Sequence, residues 1–235
     1  MARRGKTGRR AWRLYLVATL ALAAIAWFGW QWWDMLSWRP DESVYPEQGA
    51  YLGDRHGRIS FPTVAALGGA FVYLDASHGE SGKDAGLARN IAAARRAGLK
   101  VGAVHIFDPC ISADRQSANF VTMVPRDAQM LPPAIGLYDN ADQCPSKVSD
   151  AAVESELMTF INQVEMHAGQ RVILKLSPAF EERYHTATSI DRDLWLMRDR
   201  YDPDYAQRPW LLWSANGALQ TDISAEPVEW VVVQP

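Results

Sequence analysis

Residues 14–33 (LYLVATLALAAIAWFGWQWW) carry no charge. Wound as a helix at about 1.5 Å per residue, such a run spans the ~30 Å hydrocarbon core of a bilayer. Arg3, Arg4, Lys6, Arg9, Arg10 and Arg13 precede it with no acidic residue among them. Cations stay on the cytoplasmic side, so the run predicts a single-pass anchor of the cell inner membrane, with the N-terminus in the cytoplasm and the remainder periplasmic. Trp27, Trp30, Trp32, Trp33 and Trp38 crowd its far end, where amphipathic rings settle at the lipid–water boundary. A cleaved signal peptide is the competing reading, but bulky tryptophans fit a peptidase site poorly. The predicted organisation is a basic segment over 1–13, the anchor over 14–33, a stalk over 34–48 (mixed charge, Pro and Ser) and one domain over 49–235.

Charge separates the two parts. Beyond residue 13 the chain holds 18 basic and 27 acidic residues, a net charge of −9. A nucleic-acid partner would want a basic face, so none is expected. About 200 residues bury one good core, which makes a single domain the default. The two cysteines, Cys110 and Cys144, are expected to oxidise outside the cytoplasm, closing a loop of about 35 residues with a stabilisation of about 3–4 kcal/mol; two separate buried thiols are the alternative.

Strand and helix signals alternate along the domain. FVYLD (71–75) is rich in β-branched and aromatic residues. Asp84 is a candidate cap for a helix in which Leu87, Ile91 and Ala94 share a face before Gly98. VGAVHIF (101–107) reads as a strand, Ser112 as the cap of a helix to about Val124, and 134–138 as a short strand. Val153, Leu157, Phe160, Ile161 and Val164 mark a long helix behind Asp150, stopped at Gly169. RVILKL (171–176) is a strand. Short strands at 194–197, 210–213 and 229–233 follow with few helices. The order predicts an α/β fold, a barrel of parallel βα units with an irregular final third, whose chemistry sits where strands end and βα loops begin.

Several stretches, taken together, resemble glycoside hydrolase family 25, the Chalaropsis-type lysozymes (N-acetylmuramidases). They are Asn90-x3-Ala94-x2-Ala97-Gly98-Leu99, Gly102-Ala103-Val104-His105-Ile106-x-x-Pro109, Ser112-Ala113 to Gln116-x3-Phe120, Leu131-Pro132-Pro133, Phe160 to Val164-Glu165, Trp195, and Trp210 to Trp213. The resemblance covers about residues 49–233. It implies a flattened, incomplete (β/α) TIM-like barrel, a peptidoglycan substrate cut at the glycosidic bond after N-acetylmuramic acid, and no cofactor.

The departures from the family pattern bear on chemistry. Where the resemblance implies Asp-x-Glu after Leu-Pro-Pro, this chain has Gly136 and Tyr138. Tyr51 stands at the family's early Asp, and His78 at the acid of its Thr-Glu-Gly element. Glu229 alone keeps a carboxylate, on the last strand. Glycoside cleavage needs an acid for the leaving oxygen and support for an oxocarbenium-like centre. Glycine supplies neither, and an ordinary tyrosine with a pKa near 10 is a poor acid at neutral pH.

Substitute carboxylates are Asp75, at the end of a strand, Asp139, and Glu229. Asp75 reads equally as a turn cap, and alternation sends Tyr138 and Asp139 to opposite faces. Tyr51, His78, His105, Tyr138 and Trp230 are candidate substrate-binding residues, Trp230 by stacking on a glycan. The histidines and aspartates fit no metal-ligand spacing, so no metal is expected. The leading expectation is a membrane-anchored lysozyme-like domain that binds peptidoglycan with its muramidase chemistry lost or much weakened. An active divergent hydrolase using Asp75, Asp139 or Glu229 is the first alternative, and a non-enzymatic envelope scaffold the second. The sequence names no protein partner.

Overall fold

In a computed structural model the described residues are 7–235, with side chains from residue 12. The chain divides into two compact units with the boundary between Trp38 and Arg39. Arg3, Arg4 and Lys6 lie outside the described residues.

The first unit is helix α1 (Thr7–Ser37). Its stretch Trp12–Ser37 is long and apolar enough to cross a membrane. Leu20, Ile25, Trp27, Trp30, Trp32 and Trp33 all expose most of their surface. A helix apolar on every side presents no single face for packing on a protein core. It begins and ends several residues outside the expected 14–33 span. The expected stalk is also shorter than read from composition. Residues 39–47 pack on the second unit: Arg39 donates to the Leu67 carbonyl, Gln48 Nε2 donates to the carbonyls of Pro40 (3.1 Å) and Tyr45 (2.9 Å), and Tyr45 meets Trp213 edge-on at 5.6 Å.

The second unit is a barrel. Its elements run β1 (Gln48–Leu52), α2 (Phe61–Ala66), β2 (Gly69–His78), β3 (Gly82–Lys83), α3 (Leu87–Arg96), β4 (Lys100–Ile106), α4 (Ala113–Met123), β5 (Ala134–Leu137), α5 (Asp150–Ala168), β6 (Ile173–Leu176), α6 (Pro178–Tyr184), α7 (Thr186–Ser189), β7 (Asp193–Met197), β8 (Leu212–Leu219) and β9 (Val228–Val233). The strand order β1-β9-β8-β7-β6-β5-β4-β2 closes on itself through β1–β2. All neighbours are parallel except around β9, which runs antiparallel to both β8 and β1. Two-residue β3 folds back on the end of β2. The ring of strands is therefore complete; what is missing is helical cover between β7 and β9.

Strand alternation fills the interior. Tyr51, Phe71, Tyr73, Val104, Ala134, Ile173, Trp195, Leu212 and Val231 form one cluster inside the ring. The opposite faces pack under helices, of which α5 buries Val153, Leu157, Phe160, Ile161 and Val164. Two expected helix caps differ. Ser149, not Asp150, caps α5, its side chain accepting from Ala152 N at 3.2 Å. Asp84 instead closes a turn onto Gly86 N at 2.6 Å, and α3 starts after it. Helix α2 has six residues with Pro62 in its first turn, too short to show a helical period.

Cys110 and Cys144 form a disulfide with Cα atoms 5.3 Å apart. It joins the β4–α4 loop to the β5–α5 loop on the face where parallel strands end. Closing a loop of this size restricts the unfolded chain, so Cys110→Ser with Cys144→Ser should lower stability by about 3–4 kcal/mol. Denaturant unfolding under non-reducing conditions measures this; unchanged stability would refute it.

Candidate functional site

The register places one set of side chains at the C-terminal mouth of the barrel. Gly136, Lys175 and Trp195 are cross-strand neighbours on β5, β6 and β7, and Tyr51 pairs with Glu229 across β1 and β9. Asp75 lies one inward step beyond Tyr73 on β2, and Tyr138 one inward step beyond Gly136. Alternation therefore sends all of them toward the mouth.

Lys175 is 0% exposed. Its ammonium pairs with Glu229, and the Ser214 hydroxyl donates to the same carboxylate. Trp195 Nε1 donates to Ser214 Oγ at 2.7 Å. The Lys175 Nζ sits 3.8 Å from the Tyr51 ring centroid, 4.2 Å from Trp195 and 5.8 Å from Tyr138. Burial pushes the Lys175 pKa down, while Glu229 and then Asp75 pull it back up. Glu229 is itself 9% exposed. The last carboxylate of the family pattern is thus committed to an internal cation and a hydroxyl.

Tyr51 donates its hydroxyl to Asp75. Burial raises the Asp75 pKa, and the Tyr51 hydrogen bond and Arg55 oppose the rise. The Tyr51 and Tyr138 phenols stand well above their ordinary value, chiefly through burial, so they are neutral donors at physiological pH. Two glycines make room. A Cβ on Gly53 would run into the Asp75 carboxylate, and one on Gly136 would lie 2.7 Å from Tyr138 Cε2. The Tyr138 ring occupies the space that a side chain at 136 would need.

Arg55 lies on the short helical turn Asp54–His56 that follows β1. Buried His56 anchors the turn, its Nδ1 accepting from Gly53 N at 2.9 Å. The Arg55 guanidinium is exposed and 5.8 Å from the Tyr51 ring centroid.

Of the residues singled out in the sequence, Tyr51, Asp75, Tyr138 and Glu229 come together here. His78 is exposed at the end of β2 and Asp139 exposed in the loop after Tyr138. Trp230 is a correction: it is 0% exposed, donates to Gln48 Oε1 at 2.6 Å and lies under Arg39. It faces away from Glu229 by strand alternation and has no surface to offer a glycan. His105 is buried too, between Ser77 Oγ (2.8 Å from Nδ1) and Gln116 Oε1 (3.3 Å from Nε2), and packed on Phe160 at 4.6 Å. Among the described residues no group of three or more His, Cys, Asp or Glu can hold a metal ion.

Lys175, Ser214 and Arg55 were not singled out in the sequence. The signal for Lys175 was a cation inside the apolar run VILKL (172–176), two residues from inward-facing Ile173. Nothing local marks Ser214 or Arg55.

His105 carries a pH consequence. Burial lowers its pKa to about 4, against about 6.5 in an unfolded chain. The unfolded state takes up the proton first, so stability should be complete above pH 6.5 and decline as pH falls toward 4. The loss should approach about 3 kcal/mol. Thermal unfolding across that range should show the decline in the native chain and a shallower one in His105→Asn. Equal slopes would sink the assignment.

Residues 53–221 match the family described as "Glycosyl hydrolases family 25". The fold is similar to a family 25 glycosyl hydrolase from Bacillus anthracis, with TM-score 0.74 and 23% identity over 85% of this chain and 93% of that one. It is also similar to a bacterial lysozyme from Streptomyces coelicolor, with TM-score 0.70 and 18% identity over 80% and 92%. A third similar fold is the spore cortex lytic enzyme SleM of Clostridium perfringens, with TM-score 0.68 and 19% identity over 83% and 69%. No curated protein matches in sequence. The match spans more than half of the chain, from the end of β1 to just past β8: this protein belongs to glycosyl hydrolase family 25.

Proposed function

We propose that the chain is a single-pass protein of the cell inner membrane whose family 25 domain lies outside the cytoplasm and binds peptidoglycan without cleaving it. One observation carries the reading: the strand end that should present an acid pair presents Gly136 and a half-buried, neutral Tyr138. The remaining carboxylate, Glu229, is held by Lys175 and Ser214. A missing general acid typically costs about 10²–10⁴-fold in rate. The anchor, α1 with its basic leader, supports the compartment.

A second reading is hydrolysis through Asp75, favoured by its half-burial, which raises its pKa in the direction a general acid needs. Its hydrogen bond from Tyr51 and the lack of a second free carboxylate among the residues gathered at the mouth weigh against it. Incubating the full-length protein in detergent with purified sacculi and measuring released muropeptides separates the two. Release at least about 10²-fold below that of an active family member is expected; comparable release would overturn the binding-only reading.

A further inference from the structure

At the end of the barrel where the parallel strands begin, opposite the mouth, lies an open cavity of about 170 Å³. Buried Phe71, Tyr73 and Ile173 form its floor, and half-buried Leu131, Leu211 and Val233 its rim. These side chains are apolar apart from the Tyr73 hydroxyl, which is committed to the Pro132 carbonyl at 3.1 Å. Glu47, at the edge of the lining, pairs with Lys100 at 2.8 Å. An engineered cavity of about 150 Å³ with apolar walls stays dry and takes up benzene. The cavity here therefore has the room and the chemistry for the end of a hydrocarbon chain, not for a sugar. A polar depression adjoins it and shares Leu211. Arg171 and Arg208 line the depression, and both reach Asp191, at 3.1 and 3.8 Å. Asp191 is 89% exposed and Arg171 60%. Exposed pairs of this kind contribute little, so the two guanidiniums can exchange Asp191 for a phosphate, whose oxygens match their planar forks. Asp193 on the same rim suits the ammonium of a zwitterionic headgroup.

The chain enters the barrel unit at this same end. Arg39, the first residue of the unit, donates to the carbonyl of Leu67, two residues before β2 starts. Glu47 immediately precedes β1. Trp38 alone separates Arg39 from Ser37, the last residue of α1, and one residue spans at most about 3.6 Å. A bilayer that holds α1 is therefore an apolar phase tethered to this rim at high effective concentration. We infer that this end of the barrel docks on the phospholipid surface: the cavity takes the end of one acyl chain bent out of the bilayer, and headgroup phosphates around it meet Arg171 and Arg208. Moving a chain end from bilayer to cavity exchanges one apolar environment for another, and it covers lining that otherwise faces water. The inference rests on the anchor reading above and adds a lipid-facing surface to the domain. The mouth, at the opposite end of the barrel, then points away from the bilayer.

The test is photolabelling of the full-length protein in nanodiscs of phosphatidylethanolamine and phosphatidylglycerol. The probe is a phosphatidylethanolamine with a diazirine at the end of one acyl chain. Irradiation, digestion and mass spectrometry map the adducts. Helix α1 should be labelled, as the membrane-spanning control, and Leu131, Leu211 or Val233 should be labelled with it. Val233→Trp puts a larger side chain into the cavity and should abolish labelling at Leu131 and Leu211 while the α1 adducts stay unchanged. Its melting temperature reports whether it folds. Arg171→Ala, at an exposed side chain, should reduce the cavity adducts and leave both the melting temperature and the α1 adducts unchanged, and it carries the test if Val233→Trp melts early. Adducts confined to α1 in the native protein would overturn the inference while leaving the anchor intact. Cavity adducts that persist undiminished in both variants would overturn it as well. A protein with no adducts at all would overturn the anchor reading itself.

Discussion

Lys175→Met should cost about 3–5 kcal/mol, the range for breaking a buried ion pair by removing one partner. The change leaves the Glu229 carboxylate 9% exposed with only the Ser214 hydroxyl to meet it. It also strips the Tyr51 and Trp195 rings of the cation they surround at 3.8 and 4.2 Å. For a domain near 200 residues each kcal/mol moves the melting temperature by about 2–4 °C, so a fall on the order of 10 °C is expected. The double change Lys175→Met with Glu229→Gln should recover a good part of that loss, since the uncompensated charge goes with the carboxylate. Arg183→Ala breaks an exposed pair with Asp150 and should cost under about 1 kcal/mol. Thermal unfolding of the four proteins in the same detergent decides it. If Lys175→Met behaved like Arg183→Ala, the pair would not be what holds the mouth closed.

The same cluster shows where a linear reading stops. The long apolar helix α1 was legible because twenty uncharged residues after a run of arginines admit few other folds. The order of βα units was legible because alternation and helical period are local properties, and β2, β4, α4, α5 and β6 fall where those periods place them. The mouth was legible only in part. Tyr51, Tyr138 and Glu229 could be named because the family pattern supplies positions for acids, and Asp75 because it closes the strand FVYLD. Lys175 and Ser214 belong to the same site, but no local rule says that a lysine on β6 will meet a glutamate on β9, 54 residues later. That contact exists only because the ring closes. Trp230 failed for a related reason: its neighbour Glu229 faces inward, so alternation puts the indole on the outside, where residues 39–48 cover it. Composition rich in Pro and charge says nothing about Gln48 reaching back to Pro40 and Tyr45, so the packing of residues 39–48 was not legible.

Restoring carboxylates at the end of β5 tests whether the mouth lost its chemistry and kept its frame. Gly136→Asp alone should be poorly tolerated, because its Cβ would sit 2.7 Å from the Tyr138 ring, and forcing volume into a filled interior costs about 1–3 kcal/mol. Gly136→Asp with Tyr138→Glu removes the ring that fills the space, so the double variant should be more stable than the single one and carry both groups of the family pattern. Muropeptide release from sacculi should then appear in the double variant and in neither single variant. A positioned general acid contributes about 10²–10⁴-fold, so the gain should stand at least about 10²-fold above the native background. Glu229 works against a full recovery, because Lys175 still holds it and an internal cation disfavours positive charge on the sugar. A folded double variant with no release would mean that the mouth has lost more than its acid pair. Robust release by the native protein, abolished by Asp75→Asn and untouched by changes at 136 and 138, would show instead that the carboxylate on β2 had taken over the chemistry, and the binding-only reading would be wrong.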